Sequence, residues 1–411
     1  MAGPEVLGGG PDRDRTALLP ERVRRATATA RRRRWTGLAA TVLVAVAAGV
    51  LAVRSRPERA ALPPPTPAPT FAPESLRLVA DVAVGSQYGY ALVASCLGPE
   101  ATRLCRYRLF RRSLGGGSWT PTVLETGQVA GATGPARLFV AADDQVTVVD
   151  QPTVGHVYTS PDAGRTVTVH PLSPGPPVAA VLDGWFVDQS LCESCLDRLT
   201  VLEPRTGRLH PLAAPPPLGS TPGVRTVTRS GSVLWALGDG GSRLLSAVSL
   251  DRGRTWRRLP VGGARAPAEL VWLVSDGGRG AYLLIGRDSR PDVLAEFSEL
   301  WRVGDPTRPG AAWRQVTPAV RPPSAAGLVA GERGLIVVEE SGMLWRLVAD
   351  GTLARLPEAD YDGLPIPAGR PVTGPGRVLL AVPLNQTDFG LPVVLFSPDE
   401  GETWRVELIR S

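Results

Sequence analysis

Short apolar runs separated by glycine, serine and aspartate fill most of the chain after about residue 76. In the stretch 224–261 the runs VRTVTRS, SVLWALG, RLLSAVSL and WRRLPV follow one another, and AGLVAG, GLIVVEE, GMLWRLV and LARLP repeat this arrangement near residue 325. Short runs rich in Val, Leu and Trp and bounded by turn residues predict strands rather than helices. Each group of four runs therefore predicts one small antiparallel sheet.

A turn motif with the pattern S-x-D-x-G-x-T follows the third run in several of these groups. Its three copies contain Ser160, Asp162, Gly164 and Thr166; Ser249, Asp251, Gly253, Thr255 and Trp256; and Ser397, Asp399, Gly401, Thr403 and Trp404. The aspartate is expected to accept hydrogen bonds from the backbone two residues on, and the glycine to supply a positive φ. The tryptophan begins the next strand, and Val167 takes its place in the first copy. The motif predicts a stabilised hairpin and no catalytic group.

The motif resembles the Asp-box, or BNR repeat, of sialidases and related β-propellers. Weaker copies end at Trp119, Leu209, Trp313 and Leu353, so that the mean spacing is (404 − 119)/6, or 47.5 residues. This spacing is typical of four-stranded propeller blades. We predict an all-β fold, a seven-bladed β-propeller with Asp-box hairpins over residues 76–411, with six or eight blades as alternatives. Two stacked β-sandwiches would leave the single period unexplained.

An uncharged apolar run, residues 36–53, precedes the predicted propeller. Eighteen helical residues span roughly 27 Å, which is close to the hydrocarbon thickness of a bilayer. Arg31, Arg32, Arg33 and Arg34 stand directly before the run, and this asymmetry places the N-terminus in the cytoplasm. A cleaved signal peptide is the alternative, because Ala45-Val46-Ala47 forms an A-x-A pattern.

Four segments follow from this pattern. We predict a disordered basic cytoplasmic tail over residues 1–34, a transmembrane signal-anchor helix over 35–53, a stiff proline-rich linker over 54–75 and the propeller over 76–411. The protein is therefore expected to be a bacterial single-pass membrane protein whose propeller lies on the extracytoplasmic side.

The net charge of +6 does not belong to the predicted folded domain. Residues 1–34 contain nine arginines and four acidic residues, a balance of +5, so that the other 377 residues contribute only +1. A nucleic-acid surface needs its positive charge on the folded part. The charge distribution therefore predicts no nucleic-acid partner.

Four cysteines form two local pairs, Cys96 with Cys105 and Cys192 with Cys195. An extracytoplasmic compartment favours disulfides, and we predict one in each pair. Zinc binding by all four would need loops of non-adjacent blades to converge, and a redox C-x-x-C motif needs a helical context that is absent here. The three histidines are not spaced as ligands, so we predict no metal site and no cofactor.

The resemblance to sialidases implies a glycoside hydrolase as one functional class. Enzymes of that family use an arginine triad, a Tyr-Glu pair and an Asp acid/base, with the first arginine in a Phe- or Tyr-Arg-Ile-Pro motif that this sequence lacks. The chain also resembles photosystem II assembly-factor propellers and sortilin-type receptors, which bind proteins. We predict no catalytic residues and favour a binding or scaffolding module for a protein or an envelope glycan, with a sialidase-like hydrolase as the alternative.

The longest polar loops are the candidate binding surface. They connect predicted second and third strands and contain Arg287, Asp288, Arg290 and Asp292 in one blade and Asn385 and Asp388 in another. Loops of this kind are where propellers and other rigid scaffolds commonly present binding residues.

Overall fold

The computed structural model describes residues 76–97, 104–127, 129–130, 136–141, 144–150, 155–187, 199–218, 224–240, 242–265, 270–287, 296–361, 364–384 and 391–410. The chain divides into two compact units, 1–70 and 71–411, and all described residues belong to the second. The predicted tail, membrane helix and linker lie outside the described residues. Within these ranges, no helix has the length and apolar character that crossing a membrane requires.

The first two sheets are formed by consecutive strands that pair in an antiparallel manner. Sheet 1 contains β1 (Leu76–Val84), β2 (Tyr88–Leu97), β3 (Leu104–Ser113) and β4 (Thr120–Glu125), with the short β5 (Val129–Ala130) added to β3. Sheet 2 contains β6 (Arg137–Val140), β7 (Val146–Val149), β8 (His156–Ser160) and β9 (Thr168–Pro171). The first strand of each sheet is its innermost strand, and the fourth is its outermost.

Sheet 3 departs from this order. It contains β10 (Ser173–Pro174), β11 (Phe186–Val187), β12 (Thr200–Glu203) and β13 (Arg208–Pro211). Its spatial order is β10-β13-β12-β11, and β10 lies parallel to β13 on the outer side of the sheet. The innermost strand of sheet 3 is therefore the two-residue β11.

Sheets 4, 5 and 6 return to the regular order, and each has four antiparallel strands. Sheet 4 contains β14 (Val224–Ser230), β15 (Val233–Asp239), β16 (Arg243–Ser249) and β17 (Arg257–Arg265). Sheet 5 contains β18 (Leu270–Ser275), β19 (Ala281–Arg287), β20 (Glu296–Val303) and β21 (Arg314–Val316). Sheet 6 contains β22 (Gly327–Gly331), β23 (Gly334–Val338), β24 (Leu344–Leu347) and β25 (Leu353–Arg355).

A two-stranded hairpin separates sheets 6 and 7. Its strands are β26 (Ala359–Tyr361) and β27 (Leu364–Ile366). Sheet 7 contains β28 (Val372–Thr373), β29 (Leu379–Ala381), β30 (Val393–Ser397) and β31 (Arg405–Leu408), with a single 3-10 turn at Pro375–Arg377. Seven sheets of this kind form a seven-bladed propeller, as predicted from the repeat.

The repeat alignment also locates the strand that is fourth from the centre in a regular blade. Each of the seven aligned positions lies within one residue of the start of such a strand, namely Trp119, Val167, Leu209, Trp256, Trp313, Leu353 and Trp404. In sheet 3 this strand is β13, and β10 lies outside it. Because the strands alternate in direction, the turns after the first and third strands lie at one end of every blade. We call this end the turn face, and the opposite end, with the links between second and third strands, the loop face.

The hydrophobic core lies between neighbouring sheets rather than inside any single sheet. One cluster joins Trp235 and Leu237 of sheet 4 to Leu283 and Ile285 of sheet 5, and Trp313 packs at its edge. The rings of Trp235 and Trp313 meet edge to face at 5.6 Å, an arrangement that aromatic pairs prefer. Each sheet thus buries both of its faces against its neighbours.

The ring closes by side-chain packing between sheets 1 and 7. Trp119 donates its indole N–H to Glu407 Oε2 at 2.8 Å, and Arg112 Nε lies 2.9 Å from the same oxygen. The Arg112 guanidinium also lies over the Phe396 ring at 4.0 Å. Burial raises the pKa of Glu407, although Arg112 opposes this effect. In the described part of the chain, no strand from one terminus completes the sheet of the other.

The Cys96–Cys105 disulfide is confirmed. It joins paired positions on β2 and β3, where adjacent strands bring the two Cα atoms to 4.0 Å. Cys192 and Cys195 lie outside the described residues, so the second disulfide stays a prediction.

Candidate functional site

The three S-x-D-x-G-x-T turns have one hydrogen-bond pattern. In the sheet 4 turn, Ser249 Oγ donates to Asp251 Oδ1 at 2.7 Å and accepts from the Gly253 N–H at 2.7 Å. Thr255 donates to Asp251 through its N–H at 2.9 Å and through its hydroxyl at 2.6 Å. The backbone donor is thus four residues on, not two as predicted. Burial alone would raise the pKa of Asp251, but these hydrogen bonds outweigh it and lower the pKa to about 2.

Each of these turns contacts the preceding sheet. Arg252 and Gly253 have φ values of 63° and 91°, and this left-handed pair turns the Arg252 carbonyl toward sheet 3, where it accepts from the Val181 N–H at 2.8 Å. A Cβ on Gly253 would lie 2.8 Å from Leu212 Cδ1, so the close approach requires glycine. The equivalent carbonyls of Ala163 and Glu400 accept from arginines of sheets 1 and 6, respectively.

The tryptophans that follow the turns extend the same contact. Trp256 and Trp404 donate their indole N–H to the carbonyls of Ala214 and Pro357 in the preceding sheets, at 2.8 and 3.0 Å. Trp313, at the equivalent position of sheet 5, donates to Ser246 Oγ of sheet 4 at 2.7 Å. The side chains that these turns share therefore join neighbouring blades.

Of the predicted loop positions, the structure describes Arg287, at the loop face. Arg287 lies at the end of β19, where it donates to Ser298 Oγ at 3.0 Å and to Glu299 Oε1 at 2.9 Å. Asp288, Arg290, Asp292, Asn385 and Asp388 lie outside the described residues. The structure thus shows Arg287 bound within its own sheet, and the other loop positions stay predictions.

A cavity of about 660 Å³ lies beside sheet 3, at the turn face. We call it the sheet 3 cavity. Its walls come from β6 of sheet 2, β11 with the turn before it, and β14 of sheet 4; the main lining side chains are Phe139, Val140, Trp185, Phe186, Val187 and Val227. Its volume is in the usual range of ligand pockets, which are mostly apolar with few polar groups.

Aromatic contacts hold the walls of the sheet 3 cavity. The rings of Phe139 and Phe186 lie 5.1 Å apart and join sheets 2 and 3. On the other side, the Trp185 ring stacks on the His210 imidazole at 5.0 Å with an interplanar angle of 23°. These contacts fix two aromatic surfaces at the cavity before any ligand enters, which reduces the entropy lost on binding.

The polar part of the cavity wall is an arginine that binds backbone. Arg229, at the end of β14, donates to the carbonyls of Trp185 at 2.7 Å, Leu182 at 3.1 Å and Gly231 at 2.9 Å. Burial lowers the pKa of Arg229, and the nearby Asp183 partly offsets this. Asp183 lies 3.6 Å from Arg229 and 3.0 Å from Arg252 and is largely exposed. Arg229 therefore positions the turn that carries Trp185.

Behind Trp185, the buried His210 bonds through both ring nitrogens. Nδ1 lies 2.8 Å from the Pro176 carbonyl oxygen and Nε2 lies 3.2 Å from Glu203 Oε2. Both partners are acceptors, so both bonds form together only when both nitrogens carry hydrogen. Burial alone would raise the pKa of Glu203, but hydrogen bonds from Thr206 and His210 outweigh it and lower that pKa. These two contacts hold the imidazole on which the Trp185 ring stacks.

A second cavity, of about 390 Å³, lies between sheets 5 and 6. Arg302 packs over the Tyr282 ring at 5.3 Å in its wall. Arg333, also in this wall, pairs with Glu402 at 3.1 Å. It is smaller than the sheet 3 cavity, and its two arginines contact Tyr282 and Glu402. Across the described ranges, no group of His, Cys, Asp and Glu is arranged to hold a metal ion.

Sequence reasoning did not identify Trp185, Phe186 or Arg229. Their signal was weak, because GWFV reads as part of an ordinary strand and Arg229 as an exposed end of another. These positions lie together because the chain before β11 does not follow the path that it takes in a regular blade.

Comparisons with known proteins give no family for this chain. No protein-family model matches the chain, and no curated protein is significantly similar to it. Similar solved structures include PorZ of Porphyromonas gingivalis, an essential surface component of the type-IX secretion system, at 11% identity and a TM-score of 0.44. The match covers 82% of this chain and 39% of PorZ, so the chain spans less than half of that protein.

Two other solved structures match over most of their length. Penicillium chrysogenum α-L-arabinanase shares 14% identity, with 82% of this chain and 98% of that chain covered and a TM-score of 0.37. AztD of Citrobacter koseri shares 12% identity, with 78% and 92% covered and a TM-score of 0.41. Similarity at this level concerns the fold alone.

Proposed function

We propose that this protein is a membrane-anchored binding module of the bacterial cell envelope, and that its extracytoplasmic propeller binds a partner in the sheet 3 cavity. The observation that carries the proposal is the cavity itself, whose walls are apolar and aromatic. Phe139, Phe186 and Trp185 are each held by a contact that exists without ligand. A preformed apolar pocket with few polar groups is the usual form of a binding site.

The lining of the cavity favours binding over hydrolysis. Glycoside hydrolysis uses two carboxyl groups on either side of the scissile bond. Among the described residues that line the sheet 3 cavity, Asp183 is the one carboxylate, and it is paired with Arg229 and Arg252. A single carboxylate cannot supply both the acid and the second carboxyl group that this reaction uses.

Assignment of the three turns to the Asp-box repeat is part of the same proposal. The shared Ser-Asp-Gly-Thr hydrogen bonds support it, as does the position of each turn between third and fourth strands. In this assignment the turns stabilise the blades, and the binding surface lies elsewhere.

Crosslinking in native membranes tests the binding function. The full-length protein is compared with Val227→Trp, which fills the cavity from β14, and with Val123→Trp, which places the same bulk on an exposed position of β4. We expect a specific crosslinked partner with the wild type and with Val123→Trp, and its loss with Val227→Trp. Equal capture by all three proteins would contradict a function for this cavity.

The membrane anchor needs a separate test. We expect the full-length protein to stay in the membrane fraction after alkaline carbonate extraction, and a variant lacking residues 36–53 to lose this association. We also expect protease added to spheroplasts to digest the propeller while leaving a short N-terminal tag protected. Protection of the propeller instead would contradict the proposed orientation.

A further inference from the structure

Among the described residues, sheet 3 has no strand at the position that is innermost in the other six sheets. In those sheets the first strand of the blade occupies this position, namely β1, β6, β14, β18, β22 and β28. In sheet 3 the innermost described strand is β11, which corresponds to the second strand of a regular blade. The sheet 3 cavity lies where the missing strand would run, between β6 and β14.

The chain that should supply this strand takes another course. After β9, residues 173–174 pair with the outer side of β13, and Val178 continues this parallel pairing at Leu212. Val181 is then fully buried among residues of sheets 3 and 4, and its N–H binds the Arg252 carbonyl at 2.8 Å. These contacts hold residues 178–182 between the two sheets and away from the inner position.

No strand of the described ranges pairs with the inner edge of β11. Phe186 and Val187 pair with Leu202 and Val201 on one side only. In an antiparallel ladder, successive residues direct their N–H and C=O groups alternately to the two sides. One of the two residues therefore directs both groups toward the cavity, and among the described residues no backbone group binds them. An open sheet edge is a template for another strand.

We infer that the sheet 3 cavity binds an extended peptide segment of a partner protein, which adds to β11 as the innermost strand of the blade. This inference rests on the proposed binding function and names its partner class. Main-chain hydrogen bonds to the β11 edge supply affinity in strand addition, and pockets for side chains supply specificity. Here the walls on both sides are mostly apolar, with Phe139 and Val140 on one side and Val227 on the other, where Thr228 and Arg229 also line the cavity.

These walls define the segment that fits. Successive side chains of a strand point to opposite sides, so the side chains on both faces of the bound segment would meet the mostly apolar walls. The segment is therefore expected to be a short, continuous apolar run, as in strands buried on both faces. The segment needs backbone N–H groups, so proline is excluded at the bonding positions. The linker of this chain, with Pro63, Pro64, Pro65, Pro67 and Pro69, is therefore unsuited.

The experiment uses the purified full-length protein in detergent micelles and a phage-displayed library of random nine-residue peptides. Wild type and Val123→Trp serve as targets, and the cavity-filled Val227→Trp serves as the counter-target. Val140→Trp fills the cavity from the sheet 2 side and serves if Val227→Trp does not fold. Each enriched peptide is then synthesised in two forms, unmodified and N-methylated at alternate residues, since N-methylation removes N–H donors and keeps the side chains.

We expect the enriched peptides to be free of proline, to contain a short apolar run and to bind the wild type and Val123→Trp. The N-methylated forms are expected to bind at least tenfold more weakly. Binding of the unmodified peptides is expected to slow amide hydrogen exchange at β11. Cavity-dependent binding that N-methylation does not weaken would overturn strand addition and leave the proposed function standing. Absence of any cavity-dependent peptide would overturn the inference as well. Competition by a synthetic peptide of residues 54–75 would show that the chain's own linker is the occupant.

Discussion

Sheets 3 and 4 are neighbours in the same ring, and they are built in different ways. Sheet 4 has four regular strands, a turn whose aspartate binds Ser249 and Thr255, and a tryptophan that binds the preceding sheet. Sheet 3 has a two-residue inner strand, a parallel outer strand and a cavity. The contacts that hold the two sheets together come mostly from sheet 4.

This difference shows how a repeat fold accommodates an irregular blade. In repeat architectures each unit is stabilised largely by its neighbours. The sheet 4 turn binds Val181 through the Arg252 carbonyl, and Trp256 binds Ala214, so sheet 3 is held from outside. A blade supported in this way can stay packed between its neighbours even without an innermost strand.

The largest expected effect comes from the core of sheet 4. Trp235 is fully buried between sheets 4 and 5, and Trp235→Ala is expected to lower the free energy of unfolding by about 3–5 kcal/mol. Phe186→Ala, at the half-buried cavity wall of sheet 3, is expected to cost about 1 kcal/mol. Urea unfolding of the full-length variants measures both. Equal losses would show that sheet 3 contributes as much as sheet 4.

The turn of sheet 4 is expected to contribute less than its core. Asp251→Asn replaces an acceptor oxygen by an NH2 group facing the Thr255 donors, and we expect a loss of about 1–2 kcal/mol. Asp183→Asn is the matched change beside sheet 3, where the ion pairs are exposed, and we expect a loss of about 0–1 kcal/mol. A larger loss for Asp183→Asn in the same unfolding experiment would reverse the comparison.

The tryptophan contacts give a third comparison between the two sheets. Trp256→Phe removes the hydrogen bond to the Ala214 carbonyl and is expected to cost about 1 kcal/mol. Trp185→Phe keeps an aromatic ring against His210 and is expected to cost less. Thermal unfolding of the two variants in parallel measures the difference. If Trp185→Phe is the more destabilising change, sheet 3 depends on its own packing more than the structure indicates.

Lowering the pH tests the sheet 4 turn by protonating the Asp251 carboxylate, without a substitution that changes the side-chain volume. The pKa of Asp251 is lowered from 3.8 to about 2, so the carboxylate stabilises the fold above its unfolded pKa, and this stabilisation is lost as the pH falls from about 4 toward 2. With solvent screening, we expect up to about 1 kcal/mol of this loss to come from Asp251. Between pH 6 and pH 3, the free energy of unfolding should fall less in Asp251→Asn than in the wild type. An unchanged decrease would contradict the role of this carboxylate.

The sequence predicted the repeat far better than the site. Turn residues such as Ser249 and Asp251 act within a few positions of one another, so their pattern is visible in the chain. The inner strand of sheet 3 could not be predicted to be missing, because VAAVL at 178–182 reads like any other inner strand. Its course depends on Arg252, which is 71 residues beyond Val181 in the sequence. The contact of Trp119 with Glu407 spans 288 residues and leaves no local pattern.

In the described part of the chain the ring closes through side chains, and this has a consequence for how the chain folds. Every sheet is made of strands that lie close together in the sequence, so blades can form one after another along the chain. Only the seam between Trp119, Arg112 and Glu407 must wait for the last blade. Contacts between such distant residues form slowly, so joining of the seam is expected to be the last and slowest step, and the first place where the ring opens under mechanical load.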